Sequence, residues 1–88
     1  MIVDGRSFVV LAVNFKGPMA SIERVRDFLA REGWNPSKIE VVDNSPWVNI
    51  LTQGRSLEAV KSITQAVVAL DPEHLKSKPL IIPAPDRR

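Results

Sequence analysis

The chain has 88 residues and no cysteine, with 12 Lys and Arg against 10 Asp and Glu for a formal charge of +2. One small domain spanning residues 1–88 is therefore expected, without disulfides, thiolate metal sites or thiol catalysis, and the mild charge is no nucleic-acid signature. No apolar run is long enough to span a bilayer and Met1–Arg6 lacks the basic opening of a signal peptide, so a soluble, cytoplasmic protein is the expectation.

Phe8 to Phe15 is a continuous apolar run, set off by Asp4-Gly5 before it and Lys16-Gly17-Pro18 after it, and predicts a central strand buried on both sides. Ser21 is placed to cap a helix whose apolar positions Ile22, Val25, Phe28 and Leu29 follow the helical period. Gly33 ends that helix, with Trp34 folding back on its last turn as a packing residue. Glu23 with Arg26, and Asp27 with Arg31, belong to its solvated side. Ile39–Asp43 and Trp47–Thr52 predict two more strands joined by a tight turn at Asn44-Ser45-Pro46. Ser56 caps a second helix, with Glu58 in its first turn and the stripe Leu57, Val60, Ile63, Val67 and Leu70, which Asp71-Pro72 brings to an end. One extra turn over Pro72–Leu75 follows if Asp71 caps it. Leu80-Ile81-Ile82, bracketed by Pro79 and Pro83, predicts a short edge strand, and the ordered core is expected over about residues 6–82 with an extended proline-rich tail over 83–88.

An internal echo supports this plan. Val13-Asn14-Phe15, Ser21-Ile22-Glu23 and Val25 recur 35 positions later as Val48-Asn49-Ile50, Ser56-Leu57-Glu58 and Val60. Both copies fall where a strand gives way to a helix, as two β-α units related by a pseudo-twofold require. The order β-α-β-β-α-β is the ferredoxin-like split β-α-β sandwich, an α+β fold whose four-stranded antiparallel sheet runs 4-1-3-2 with both helices on one face. Period-two alternation sends Val9, Leu11, Val13, Phe15, Ile39, Val41, Val48 and Ile50 under the helices. It leaves Phe8, Val10, Ala12, Asn14, Glu40, Val42, Trp47, Asn49 and Leu51 on the open face, an apolar surface unusual for a monomer.

Chemistry is signalled mainly by absences. The sequence has no dinucleotide or phosphate-binding glycine loop, no zinc-protease helix and no serine-nucleophile elbow, and its one histidine has no second imidazole with which to share a metal. No catalytic residue, metal or cofactor is expected. His74 near Asp71 and Glu73 reads as an exposed residue of a helix-terminal turn, since a catalytic histidine needs an orienting partner and a pocket. Glu40 is the one carboxylate that register puts on the open face, as a partner contact or as a charge that keeps an edge strand from aggregating. Trp47 between Asn14 and Asn49 is either a stacking platform flanked by amides or a residue that covers the sheet or fills a dimer core. Lys76, Lys78, Arg87 and Arg88 give the C-terminal stretch a positive bias, either to meet phosphate or an acidic partner or, the favoured reading, to solubilise a tail that Pro79, Pro83 and Pro85 hold extended. The candidate binding set is thus Phe8, Val10, Asn14, Glu40, Trp47, Asn49 and Leu51.

The run Val10-Leu11-Ala12-Val13-Asn14-Phe15 and its partner Val48-Asn49-Ile50, followed by Ser56-Leu57-Glu58-Ala59, resemble the SPOR domain, a peptidoglycan-binding module whose halves each run from strand to helix. The resemblance implies glycan-strand binding on the open face through Phe8, Asn14, Trp47 and Asn49. Leu11 and Val13 stand where that family carries Gln and Gly. RNA-recognition motifs share the plan, but their basic, glycine and aromatic third-strand signature is absent from Ser45–Leu51 and positive charge near the sheet is thin, so nucleic acid is not the expected partner. Acylphosphatase-like enzymes need an arginine-bearing loop where Lys16-Gly17-Pro18 stands, and ACT domains a glycine at the ligand turn. The leading expectation is a non-catalytic assembly module that buries its open face against a second copy or another protein, with Trp47 as anchor; SPOR-like glycan binding is the alternative and RNA binding the third reading.

Overall fold

The computed structural model describes residues 8–83, with side chains from 9 to 82. Six elements follow one another: β1 (Phe8–Lys16), α1 (Met19–Arg31), β2 (Glu40–Val42), β3 (Ser45–Leu51), α2 (Leu57–Val68) and β4 (Lys76–Pro83). The strands form one antiparallel sheet in the order β2-β3-β1-β4, the ferredoxin-like α+β arrangement that the sequence predicts. Phe8 opens β1, but its side chain lies outside the described set, as do residues 84–88 with Pro85, Arg87 and Arg88.

The core forms where the helical stripes meet the inward residues of the two central strands. Ile22, Val25 and Leu29 of α1 and Val60, Ile63 and Val67 of α2 close over Val13, Phe15, Val48 and Ile50. Strand pairing joins the two copies of the echo directly, with Val13 opposite Ile50, Asn14 opposite Asn49 and Phe15 opposite Val48. The pseudo-twofold therefore passes through the Asn14–Asn49 pair.

Helix ends follow local chemistry. Gly33 takes φ +86°, its N–H donates to the Ala30 carbonyl at 3.2 Å and the Trp34 N–H to that of Leu29 at 2.9 Å, which is a Schellman motif. Trp34 is thereby folded onto the core, and the Arg55 guanidinium lies 3.9 Å over its ring. Gly54 at φ +88° occupies the third position of the turn Thr52–Arg55, closed by Arg55 N–H to the Thr52 carbonyl at 3.0 Å, as a type II turn demands. Ser56 caps α2 as expected, its Oγ accepting from the Ala59 N–H at 3.0 Å.

Four expectations are corrected. The N-cap of α1 is Pro18, not Ser21, because Gly17-Pro18 leaves β1 directly into the helix. Ser21 is buried on the inner side of α1 and its hydroxyl donates to Asp71 Oδ2 at 2.6 Å. The hairpin turns at Asp43-Asn44, with φ of 52° and 62°, and not at Asn44-Ser45-Pro46; two left-handed residues make the tight loop whose twist suits antiparallel strands. β4 has eight residues where three were expected, because on an edge strand the missing N–H of Pro79 can face solvent.

The fourth correction concerns faces. The register of β1 against β4 slips between Val10 and Ala12, so Leu11 is the extra residue of a bulge. Buried Thr52 clamps it, donating its N–H to the Leu11 carbonyl at 3.0 Å and its Oγ1 to that of Val10 at 2.7 Å. Beyond the bulge Val13 and Phe15 face the helices as predicted, but Val10 now packs against the core instead of the open face. Val41, assigned beneath the helices, is 53% exposed, because β2 is a three-residue strand at the edge of the sheet.

Candidate binding face

Inward placement of Val13, Phe15, Val48 and Ile50 fixes what the other side of the sheet carries: Ala12, Asn14 and Lys16 from β1, and Trp47, Asn49 and Leu51 from β3. In β4, Pro79 lines a groove on the helix side with Val10, Val13, Leu57 and Val60, so Lys76, Lys78 and Leu80 point to the open face. The pairing register sorts these residues into three rows across the sheet. One runs Lys76, Lys16, Trp47, Glu40; the next Lys78, Asn14, Asn49; the third Leu80, Ala12, Leu51.

The middle row is a fixed boundary. Asn14 Nδ2 donates to Asn49 Oδ1 at 2.8 Å, and the backbone of Asn49 is paired on its outer side with Ser37 through N–H to Ser37 Oγ at 3.0 Å and the Ser37 N–H to its carbonyl at 2.8 Å. Among the described residues no buried side-chain polar atom lacks a partner, and the bond between the two amides offsets the cost of half-burying them.

On one side of the boundary the face is apolar and no described residue covers it. Leu51 is 77% exposed and Leu80 56%, with Ala12 between them, and alternation along β4 brings Ile82 to the same side, 40% exposed. On the other side Trp47 is half-buried between Lys16 and Glu40, unlike Trp34, which the core and Arg55 enclose. Lys16, Lys76 and Lys78 are exposed, and none of the ion pairs among the described residues involves them.

Of the predicted candidates the structure thus brings Asn14, Glu40, Trp47, Asn49 and Leu51 onto one face, removes Val10 to the core, and adds Lys16, Lys76, Lys78 and Leu80. The signal for the additions was present in Lys76-Ser77-Lys78-Pro79-Leu80, which alternates between outward and groove-facing residues, but Pro79 argued against a strand there. No family model matches this chain, and no curated protein matches it significantly. The β-α-β-β-α-β order is shared with SPOR domains, and no match ties the chain to that family.

Elsewhere the described residues hold no cluster of three His, Asp or Glu suited to a metal, and no helix long and apolar enough to cross a membrane. His74 sits in the turn after α2, exposed as expected, its Nδ1 3.0 Å from Asp71 Oδ1. The hydrogen bond from Ser21, more than the nearby His74, holds the Asp71 carboxyl below the usual carboxylate range. Since His74 belongs to the same turn as Asp71, the Ser21 bond is the one that ties α1 to the turn after α2.

Proposed function

We propose that the domain is a non-catalytic assembly module and that the apolar end of its open sheet face packs against the same end of a second copy. The observation that carries this reading is the exposed strip Leu51, Ala12 and Leu80, continued by Ile82, on a face that no second layer covers among the described residues. A twofold arrangement suits it, since an isologous contact lets one apolar strip cover its own copy. Sheet-edge pairing is the less favoured geometry: β4, the free edge beside the strip, carries Pro79 and Pro83, which offer no N–H, and Lys76 and Lys78, which repel a like strand.

The anchors of this contact are Leu51 and Leu80. Trp47, which the sequence favoured, stands two rows away between Lys16 and Glu40. Sedimentation equilibrium across a concentration series is expected to show a monomer–dimer equilibrium. The double variant Leu51→Ser, Leu80→Ser is expected to raise its dissociation constant by at least about a hundredfold, since each leucine contributes roughly 1.5–3 kcal/mol and is counted in both copies. A wild-type monomer at every concentration contradicts the reading, as does a dimer indifferent to both substitutions.

A further inference from the structure

Lys16 and Lys76 are directly opposite one another in the pairing of β1 with β4, and Lys78 follows one row on, opposite Asn14. Like charges placed directly opposite on a sheet face repel, so three exposed lysines without a carboxylate among their ion pairs are an arrangement that a bound anion would stabilise. Along β4 the two lysines stand about 6.8 Å apart, two strand residues, a spacing that follows an extended chain of repeated charges better than a single compact ion. The neighbour of Lys16 across β3 is Trp47, whose indole lies in the same row, with the Asn14 and Asn49 amides beside it. A repeating anion next to an aromatic ring and amide groups is the chemistry of single-stranded nucleic acid, in which phosphates alternate with flat bases.

We propose that the cationic end of the open face binds single-stranded nucleic acid, with Lys16, Lys76 and Lys78 on successive phosphates and a base stacked on Trp47. Glu40, at the far end of the Trp47 row, limits the track to the β1–β4 side, because it repels a phosphate placed over β2. Such a surface has little sequence preference, since stacking accepts every base and the lysines read only the backbone. The site does not depend on self-association, whose contacts lie on the other side of the Asn14–Asn49 row.

Fluorescence anisotropy of a labelled oligothymidylate with the full chain tests this. Binding is expected at low salt, with the logarithm of affinity falling against the logarithm of salt with a slope of about −2 for three phosphate contacts. Lys76→Glu with Lys78→Glu is expected to weaken binding at least tenfold, while Arg24→Glu on the exposed side of α1 leaves it unchanged. Trp47→Leu is expected to cost at least fivefold with the salt slope retained, which a merely structural role for the indole does not produce; circular dichroism checks the fold of each variant. Leu51→Ser with Leu80→Ser is expected to weaken association and leave oligonucleotide affinity intact, so the two readings fail separately. Absence of binding at low salt overturns the proposal, as does equal loss in Arg24→Glu. It is also overturned if heparin competes as well as single-stranded DNA and Trp47→Leu has no effect, which marks a surface for polyanions at large.

Discussion

On either side of the Asn14–Asn49 hydrogen bond the open face repeats one backbone arrangement with opposite side chains. Ala12 and Trp47 are separated by the same 35 positions as Asn14 and Asn49, and so are Lys16 and Leu51. The pseudo-twofold therefore exchanges an alanine with a tryptophan and a lysine with a leucine, and β4 extends the contrast by adding Leu80 to one end and Lys76 to the other. Beneath the face the repeat is conservative, since Val13 and Val48 are both buried and Phe15 answers to Ile50. A duplicated architecture thus keeps its symmetry where packing demands it and gives it up where solvent does not, which is why the two ends of one sheet carry different chemistry.

The largest effect is expected from the shared floor. Phe15→Ala empties a fully buried site under the cationic end and is expected to cost about 3–5 kcal/mol, enough to unfold much of so small a domain. Because one core lies under both ends, urea unfolding followed by Trp fluorescence and by circular dichroism is expected to give coincident transitions shifted to lower denaturant. Separate transitions would mean that the two ends unfold as independent units.

A smaller loss is expected at the boundary. Asn14→Ala leaves the Asn49 amide oxygen without its donor on a half-buried face, at a cost of about 1–2 kcal/mol, and Asn49→Ala does the same to its partner. A double-mutant cycle is expected to show the pair of substitutions costing less than their sum. Strict additivity would mean that the bond does not couple the two ends.

The helix starts sharpen the contrast between the halves. Ser21 and Ser56 hold equivalent places in the echo, yet Ser56 caps α2 and Ser21 fastens the first turn of α1 to Asp71. Ser21→Ala is expected to lower the melting temperature at neutral pH by roughly 4–8 °C, the shift that one lost hydrogen bond produces in a domain this small. The Asp71 carboxyl is depressed in the folded state, so its contribution is complete above the ordinary carboxylate pKa of about 4 and is lost as pH falls through the lower folded value. The difference between wild type and Ser21→Ala is therefore expected to narrow below about pH 4, the smallest of these effects, whereas Ser56→Ala keeps its deficit of about 1 kcal/mol across the same range. A gap for Ser21→Ala that is constant with pH would detach Ser21 from the Asp71 carboxylate.

The strand and helix order, the antiparallel sheet, the Schellman end at Gly33 and the Ser56 cap were legible in the sequence because each depends on local pattern or backbone preference. What was not legible depends on neighbours distant in sequence. Ser21 and Ser56 look alike until Asp71 arrives beside one of them, and the bulge at Leu11 is fixed by Thr52, which alternation along β1 cannot register. Val10 was placed on the wrong face for that reason. Lys76 and Lys78 read as tail because Pro79 interrupts their strand, a penalty that vanishes at a sheet edge. The candidate site was thus half visible: its amides, indole and Leu51 followed from period-two alternation, and its lysines and Leu80 required the register of β4.

Thiol cross-linking between copies is the most direct test of which end of the face meets a second chain, because the protein has no cysteine of its own. Ala12→Cys places one thiol in the Leu51–Leu80 row, and Lys16→Cys places one in the Trp47 row. With a short bis-maleimide, Ala12→Cys is expected to give covalent dimers efficiently at concentrations where Lys16→Cys gives none. Efficient cross-linking through Lys16→Cys, with Ala12→Cys unreactive between copies, would contradict self-association through the apolar end.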